Sequence, residues 1–311
     1  MNQNFHAVAQ RTLQFLHRRF GFALWMLTRA EGKDWIVLAA EDHGYGVNEG
    51  KVFRWEDSFC SRMVKGLGPR ISPDAQEIKS YVAAPINSQL KIGAYIGIPL
   101  LRTDGSLFGT LCAVDPSPQP PRIVEEQELL ELLANLLNRL LNAEISGEET
   151  ARRAERIEME MNRDKLTSLY NRRGWDSLLA KEEERCRRYG HPACVIFVDL
   201  DELKTINDTK GHLAGDALLV SAARAIMQSA RATDVAARFG GDEFAILAIE
   251  CDAAAAAVLV ERLRAQLETQ GVKASIGVAR RQPDKSLFDA LTEADAAMYA
   301  EKNVRKEQGS A

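Results

Sequence analysis

Cysteine is scarce, with five residues in a chain of 311 and neither a CxxC pair nor a His-rich spacing. The scatter of Cys60, Cys112, Cys186, Cys194 and Cys251 argues against a disulfide framework and against structural zinc, and points to a reducing compartment. No apolar run approaches the roughly 20 residues of a membrane helix. The opening MNQNFHAVAQ lacks the basic-then-apolar layout of a signal peptide, so the expected location is the cytoplasm. Excess positive charge is absent too: a net charge of −4 and a pI near 5.9 give no field for nucleic-acid binding. There is no GxxxxGK[ST] loop, so phosphate binding cannot rest on a P-loop. What is present, 46% hydrophobic and 27% charged residues, suits a soluble chain long enough for two domains.

Phe5 to Phe20 carries apolar residues at near-helical spacing among basic ones and predicts an amphipathic helix. Phe22–Leu27 and Trp35–Ala40 read as strands, as do Tyr95–Leu101 and Leu107–Val114 across a Gly-containing turn. This layout, ending in YIGIPLLRTDGSLFGTLCAVDP, resembles a GAF sensory domain over residues 1–142. The resemblance implies a small-molecule ligand, of unknown identity, between the sheet and its helices. Trp25, Trp35, Trp55, Tyr45 and Tyr81 are candidates for lining such a pocket, while Cys60 and Cys112 are read as small apolar core residues.

From Val124 to Ile145 eight leucines make an apolar surface too wide for one seam, so part of it is expected to face a partner helix. Ser146 and Gly147 are expected to interrupt the helix, and a charged helix to resume from Glu148 to Arg163. Residues 143–162 are therefore read as a coiled-coil linker that pairs two protomers.

Beyond residue 163 the chain carries a series of motifs. DKLTSLYNRRGW comes first, then the buried strand CVIFVDL with Asp199 and Asp201 at its end, two residues apart and so on one face. DELKTINDTKGHLAGD follows. RFGGDEF, Arg238–Phe244, lies between apolar runs and predicts a hairpin whose glycines allow positive φ and whose Asp242 and Glu243 can hold a hard cation. SIGVA and ADAAMYAEK close the series.

In this order, residues 163–311 resemble the GGDEF family of diguanylate cyclases. The resemblance implies a mixed central sheet with helices on both faces, similar to a polymerase palm, within an α/β (α+β) chain. It implies condensation of two GTP into cyclic di-GMP and two pyrophosphates by a homodimer, with Mg²⁺ or Mn²⁺ as cofactor. Asp199, Asp242 and the Leu200 carbonyl match the metal ligands, and Asp242 and Glu243 are the carboxylates open to bind metal or take the proton. Lys204 and Lys302 match phosphate-facing lysines. Asn207 and Asp216 match the guanine-reading pair, with His212 near the nucleotide. Arg231 and Asp234, an RxxD pair ahead of the hairpin, together with Arg262 match an inhibitory site for the product. The pattern is broken by Ser168 in place of glycine, Leu203 in place of phenylalanine, Glu301 in place of alanine, and Arg305 with Lys306 in place of a closing glycine and arginine. The alternative reading is a catalytically silent receptor for cyclic di-GMP or GTP that signals to a partner protein.

Overall fold

A computed structural model describes residues 5–309. The chain divides into two units, with the boundary inside one long helix at Arg152 and Arg153.

The first unit opens with helix α1 (Phe5–Phe20), followed by strands β1 (Leu24–Glu31), β2 (Asp34–Asp42) and β3 (Val52–Arg54). Short helix α2 (Phe59–Val64), strand β4 (Ile71–Ser72) and short helix α3 (Lys79–Val82) lead to β5 (Ala94–Leu101) and β6 (Leu107–Asp115). The strands pair antiparallel in the order β3-β2-β1-β6-β5-β4. Alternation divides their side chains between two cores. Trp25, Leu27, Ile96 and Leu111 face α1 and the leucines of helix α4 (Gln127–Glu158), whereas Leu24, Met26, Trp35, Tyr95 and Cys112 face α2 and α3. The five aromatic residues named above therefore do not line one pocket. Trp25 packs on the helical side, and Trp35, Tyr81, Tyr45 and Trp55 pack on the other. On that second side Phe59 stacks on Tyr81 at 4.6 Å, and Cys60 Sγ accepts hydrogen bonds from the Tyr95 hydroxyl and Thr110 Oγ1, both at 3.3 Å.

Helix α4 corrects the expected interruption, because it runs through Ser146 and Gly147 without a break. Ser146 donates its hydroxyl to the Asn142 carbonyl one turn back at 2.9 Å, and an interior glycine costs only about 1 kcal/mol, less than the flanking turns supply. The helix also ends at Glu158, short of Arg163, and a 3₁₀ turn spans Met159–Asn162.

The second unit holds α5 (Arg172–Tyr189), β7 (Ala193–Leu200), α6 (Leu203–Lys210), α7 (His212–Ser229), β8 (Val235–Gly240), β9 (Glu243–Ile249), α8 (Ala253–Thr269), β10 (Ala274–Arg280) and α9 (Leu287–Gly309). The strand order is β10-β7-β9-β8. All pairings between these named strands are antiparallel, and an isolated parallel bridge joins Tyr170 to Ala237 of β8, the edge strand. Apart from Asp199, CVIFVDL is apolar because β7 is covered on both faces. Cys194, Ile196, Val198 and Leu200 pack with α7 and α8, while Ala193, Val195 and Phe197 pack with α5 and α9. Asp252 caps α8 by accepting from the Ala255 amide at 2.8 Å.

Candidate active site

The hairpin between β8 and β9 turns at Gly240 and Gly241, whose φ values of 149° and 53° are open only to glycine without strain. Arg238 locks the turn, donating to the Gly241 carbonyl from Nε at 3.1 Å and Nη2 at 2.8 Å. Its other Nη lies 3.4 Å from Asp164, which in turn accepts from the Thr167 amide at 2.9 Å and its hydroxyl at 2.7 Å. The first and fourth motifs of the sequence thus meet through one guanidinium.

Strand alternation then decides which acids share a side. Asp199 belongs to the β7 residues that face α9, and the register sets it directly opposite Glu243 on β9. The Leu200 side chain points into the other core, and its amide donates to the Asp242 carbonyl at 3.1 Å. Lys302, on α9, hydrogen-bonds Asp199 Oδ1. Burial raises the Asp199 carboxyl above the usual range, and the charges of Asp242 and Asp201 add to it, against the pull of Lys302. Burial likewise raises Glu243, with Asp199, Asp242 and Asp295 contributing and Arg172 opposing. Burial works against the Lys302 ammonium, yet the bond to Asp199 holds its pKa above the ordinary lysine value.

Asp201 completes this side. Its amide donates to the Lys273 carbonyl at 3.1 Å, its Oδ1 accepts from Ser275 Oγ at 2.8 Å, and its Oδ2 lies 3.4 Å from Arg305. Arg172, Asp295 and Ser275 were not among the expected site residues. Arg305 was noticed only as a departure, although its place one turn beyond Lys302 was a usable signal. Among the described residues no group of three or more His, Cys, Asp or Glu side chains is arranged to hold a metal ion. The expected set needs only two carboxylates and a carbonyl. An all-oxygen donor set with acids crowded by burial suits a hard divalent cation.

A second group lies on α6 and α7. Lys204 stands on α6 one turn before Asn207, whose amide oxygen lies so close to Gly215 that a Cβ there would approach it to 1.9 Å. The turn between the helices therefore brings Asn207 beside Gly215–Asp216, while His212 opens α7. Lys204, His212 and Asp216 are exposed, and Leu203 turns inward to the core.

A third group is separate. Arg231, Asp234 and Arg262 line a cavity of about 170 Å³ with Cys251 and apolar residues of α8. Asp234 accepts from the backbone amides of Arg231 at 2.7 Å and Ile249 at 3.2 Å, so the RxxD pair forms a turn after α7. Burial raises the Asp234 carboxyl, and these two amides oppose the shift.

The sequence model of the diguanylate cyclase GGDEF domain matches residues 161–308, and that of the GAF domain matches residues 4–141. The chain belongs to the GGDEF family. The probable diguanylate cyclase DgcC of Escherichia coli K12 is 35% identical over 163 residues, which cover 50% of this chain and 44% of that protein. The chain thus spans less than half of that relative. The diguanylate cyclase DgcP of the same strain is 27% identical over 281 residues, or 87% of this chain and 81% of that protein. Among solved structures, the GGDEF domain of DgcB from Caulobacter crescentus in complex with c-di-GMP is 32% identical, covers 46% of this chain and 90% of that one, and gives a TM-score of 0.44. GGDEF diguanylate cyclases generally use divalent metal ions.

Two departures from the GGDEF pattern have visible consequences. Ser168 takes a φ of 62°, a conformation suited to the glycine it replaces. Glu301 binds Arg264 of α8 through two contacts of 2.9 and 2.6 Å. The side chain of Lys306 lies outside the described residues.

Proposed function

We propose that this GGDEF protein is a diguanylate cyclase that joins two GTP molecules into cyclic di-GMP with release of two pyrophosphates. The observation that carries this reading is the pairing of Asp199 with Glu243 across β7 and β9, with Asp242 in the turn between β8 and β9 and Lys302 on Asp199. Asp199, Asp242 and the Leu200 carbonyl would hold Mg²⁺ or Mn²⁺, which when bound neutralises phosphate charge. Glu243, opposite Asp199, has the raised basicity suited to receiving the proton of an attacking ribose 3′-hydroxyl. Lys302 and Lys204 would neutralise the triphosphate, and Asn207 and Asp216 would read the guanine edge, with His212 near the nucleotide. Arg305, within reach of Asp201, offers a guanidinium on the same helix face as Lys302.

The domain plan that goes with this reading is a GAF sensory domain at 1–142, a helical linker at 143–162 and the cyclase at 163–311. A homodimer is required because each site holds one GTP. On α4, Leu132 and Leu136 are 55% and 56% exposed one turn apart, a surface suited to a second copy. The Arg231, Asp234 and Arg262 cavity is read as the product's inhibitory site, with the fork of either arginine suited to phosphate or guanine. Five free thiols and a GTP substrate fit a cytoplasmic enzyme regulated by its GAF domain. No helix among the described residues is long and apolar enough to cross a membrane.

Incubation with GTP and Mg²⁺, followed by chromatography of the products, is the test. Formation of cyclic di-GMP supports the cyclase, and binding of cyclic di-GMP by a folded protein that makes none would replace it with the receptor reading.

A further inference from the structure

Two of the five cysteines meet where no expected role places them. Cys194 lies near the start of β7 and Cys251 just past the end of β9, and the antiparallel register draws these ends together. The Cys251 amide donates to the Pro192 carbonyl at 3.0 Å. Cys194 Sγ lies 3.2 Å from the Cys251 carbonyl and 3.8 Å from the Asp252 carbonyl, and Cys251 Sγ lies 3.6 Å from that same Asp252 oxygen. Both thiols thus converge on one peptide unit. Both are buried, but they differ in access, because Cys251 lines the cavity that holds Arg231 and Arg262 and Cys194 is not among its lining residues.

We propose that Cys251 and Cys194 form an oxidisable dithiol, in which Cys251 meets a peroxide through the cavity and Cys194 closes a disulfide. The Cys251 thiolate attacks one oxygen of hydrogen peroxide, the O–O bond breaks, and a sulfenic acid and one water result. The Cys194 sulfur then attacks the Cys251 sulfur, the S–O bond breaks, and the second water leaves. Two thiols lose two electrons and two protons, and the peroxide becomes two waters. The order of attack follows from the surroundings. A hydrogen bond from Cys194 lowers the Cys251 thiol pKa, helped by Arg231 against burial and Asp234. The same contact, with burial, raises Cys194. The bond would tie β7 to the corner at Glu250, where φ is 50°, and Asp252, from which α8 starts on its way to Arg262. Oxidation therefore alters the wall of the cavity and does not touch the acids at Asp199 and Glu243.

The full-length protein treated with hydrogen peroxide, then blocked with iodoacetamide and mapped without reductant, tests this. The expected result is a loss of about 2 Da and a tryptic cross-link between Tyr189–Lys204 and Phe239–Arg262, reversed by dithiothreitol. Cys251→Ser should abolish the link, and Cys194→Ser should leave Cys251 to overoxidise. Wild type that stays unlinked while folded, or that links other cysteines instead, overturns the proposal whether or not either variant folds.

Discussion

Lys302 of α9 places its ammonium on Oδ1 of Asp199, at the end of β7, so a helix near the chain's C-terminal end closes over an acid 103 residues earlier. The contact balances a buried carboxylate that two other acids crowd. Asp199→Asn and Lys302→Ala should each lower the rate of cyclic di-GMP formation by about 100-fold or more, with the far-UV circular dichroism unchanged. In addition, Mg²⁺ should raise the melting temperature of the wild type but not of Asp199→Asn, since only a site that binds in the folded state gains stability from its ligand.

Ser168 holds a left-handed backbone in the position of a glycine. Ser168→Gly should relieve strain of about 1 kcal/mol and raise the melting temperature of the second unit by a few degrees. A scanning calorimetry trace that shows no change or a fall would mean that the turn accommodates serine fully.

Glu301 and Arg264 give a pH signature. Burial pushes the Glu301 carboxyl up, but the hydrogen bonds and charge of Arg264 outweigh it and hold the group below the usual range. A carboxyl depressed in the folded state contributes stability above its unfolded pKa and loses it as pH falls through the folded value. Glu301→Ala should therefore cost under about 1 kcal/mol at neutral pH, the pair being partly exposed. The difference from wild type should shrink as pH falls below the ordinary glutamate pKa of about 4.3 and vanish once Glu301 is protonated in the folded state, as followed by urea unfolding at several pH values.

Arg231→Ala should raise the cyclic di-GMP concentration needed for half-inhibition by at least about 10-fold, the value of one charged hydrogen bond. The initial rate should stay near that of the wild type, because the Arg231 cavity is formed by other residues than the acidic cluster. Unchanged inhibition would move the inhibitory site elsewhere.

Leu132→Asp combined with Leu136→Asp should give a monomer by light scattering and remove activity while leaving GTP binding in place. A pair of charges on an apolar interface stripe disfavours association by several kcal/mol. A dimer that survives would assign pairing to another surface.

Much of this arrangement could be read in advance. The apolar run CVIFV foretold a buried strand, and the glycine pair before Asp242 foretold the hairpin. The family resemblance gives Lys302 only as a phosphate-facing lysine; its contact with Asp199, between residues so far apart, depends on how α9 packs on the sheet. The helix through Ser146 and Gly147 was misjudged because local propensity was weighed without the turns on either side. Asp234 also accepts from the Arg231 backbone amide, a contact that residue identity does not reveal. The meeting of Cys194 and Cys251 depends on strand register, and no spacing rule along the chain predicts it.

Gly277 of β10 lies so close to α9 that a Cβ there would come within 2.0 Å of the Ala294 carbonyl and 2.2 Å of the Met298 amide. Lys302 follows Met298 by one turn. The height of that lysine above its aspartate is therefore governed by a missing methyl group in the strand below. Replacing Gly277 with alanine would lift the helix like a shim under a hinge, and catalysis should fail there although no reacting residue has changed.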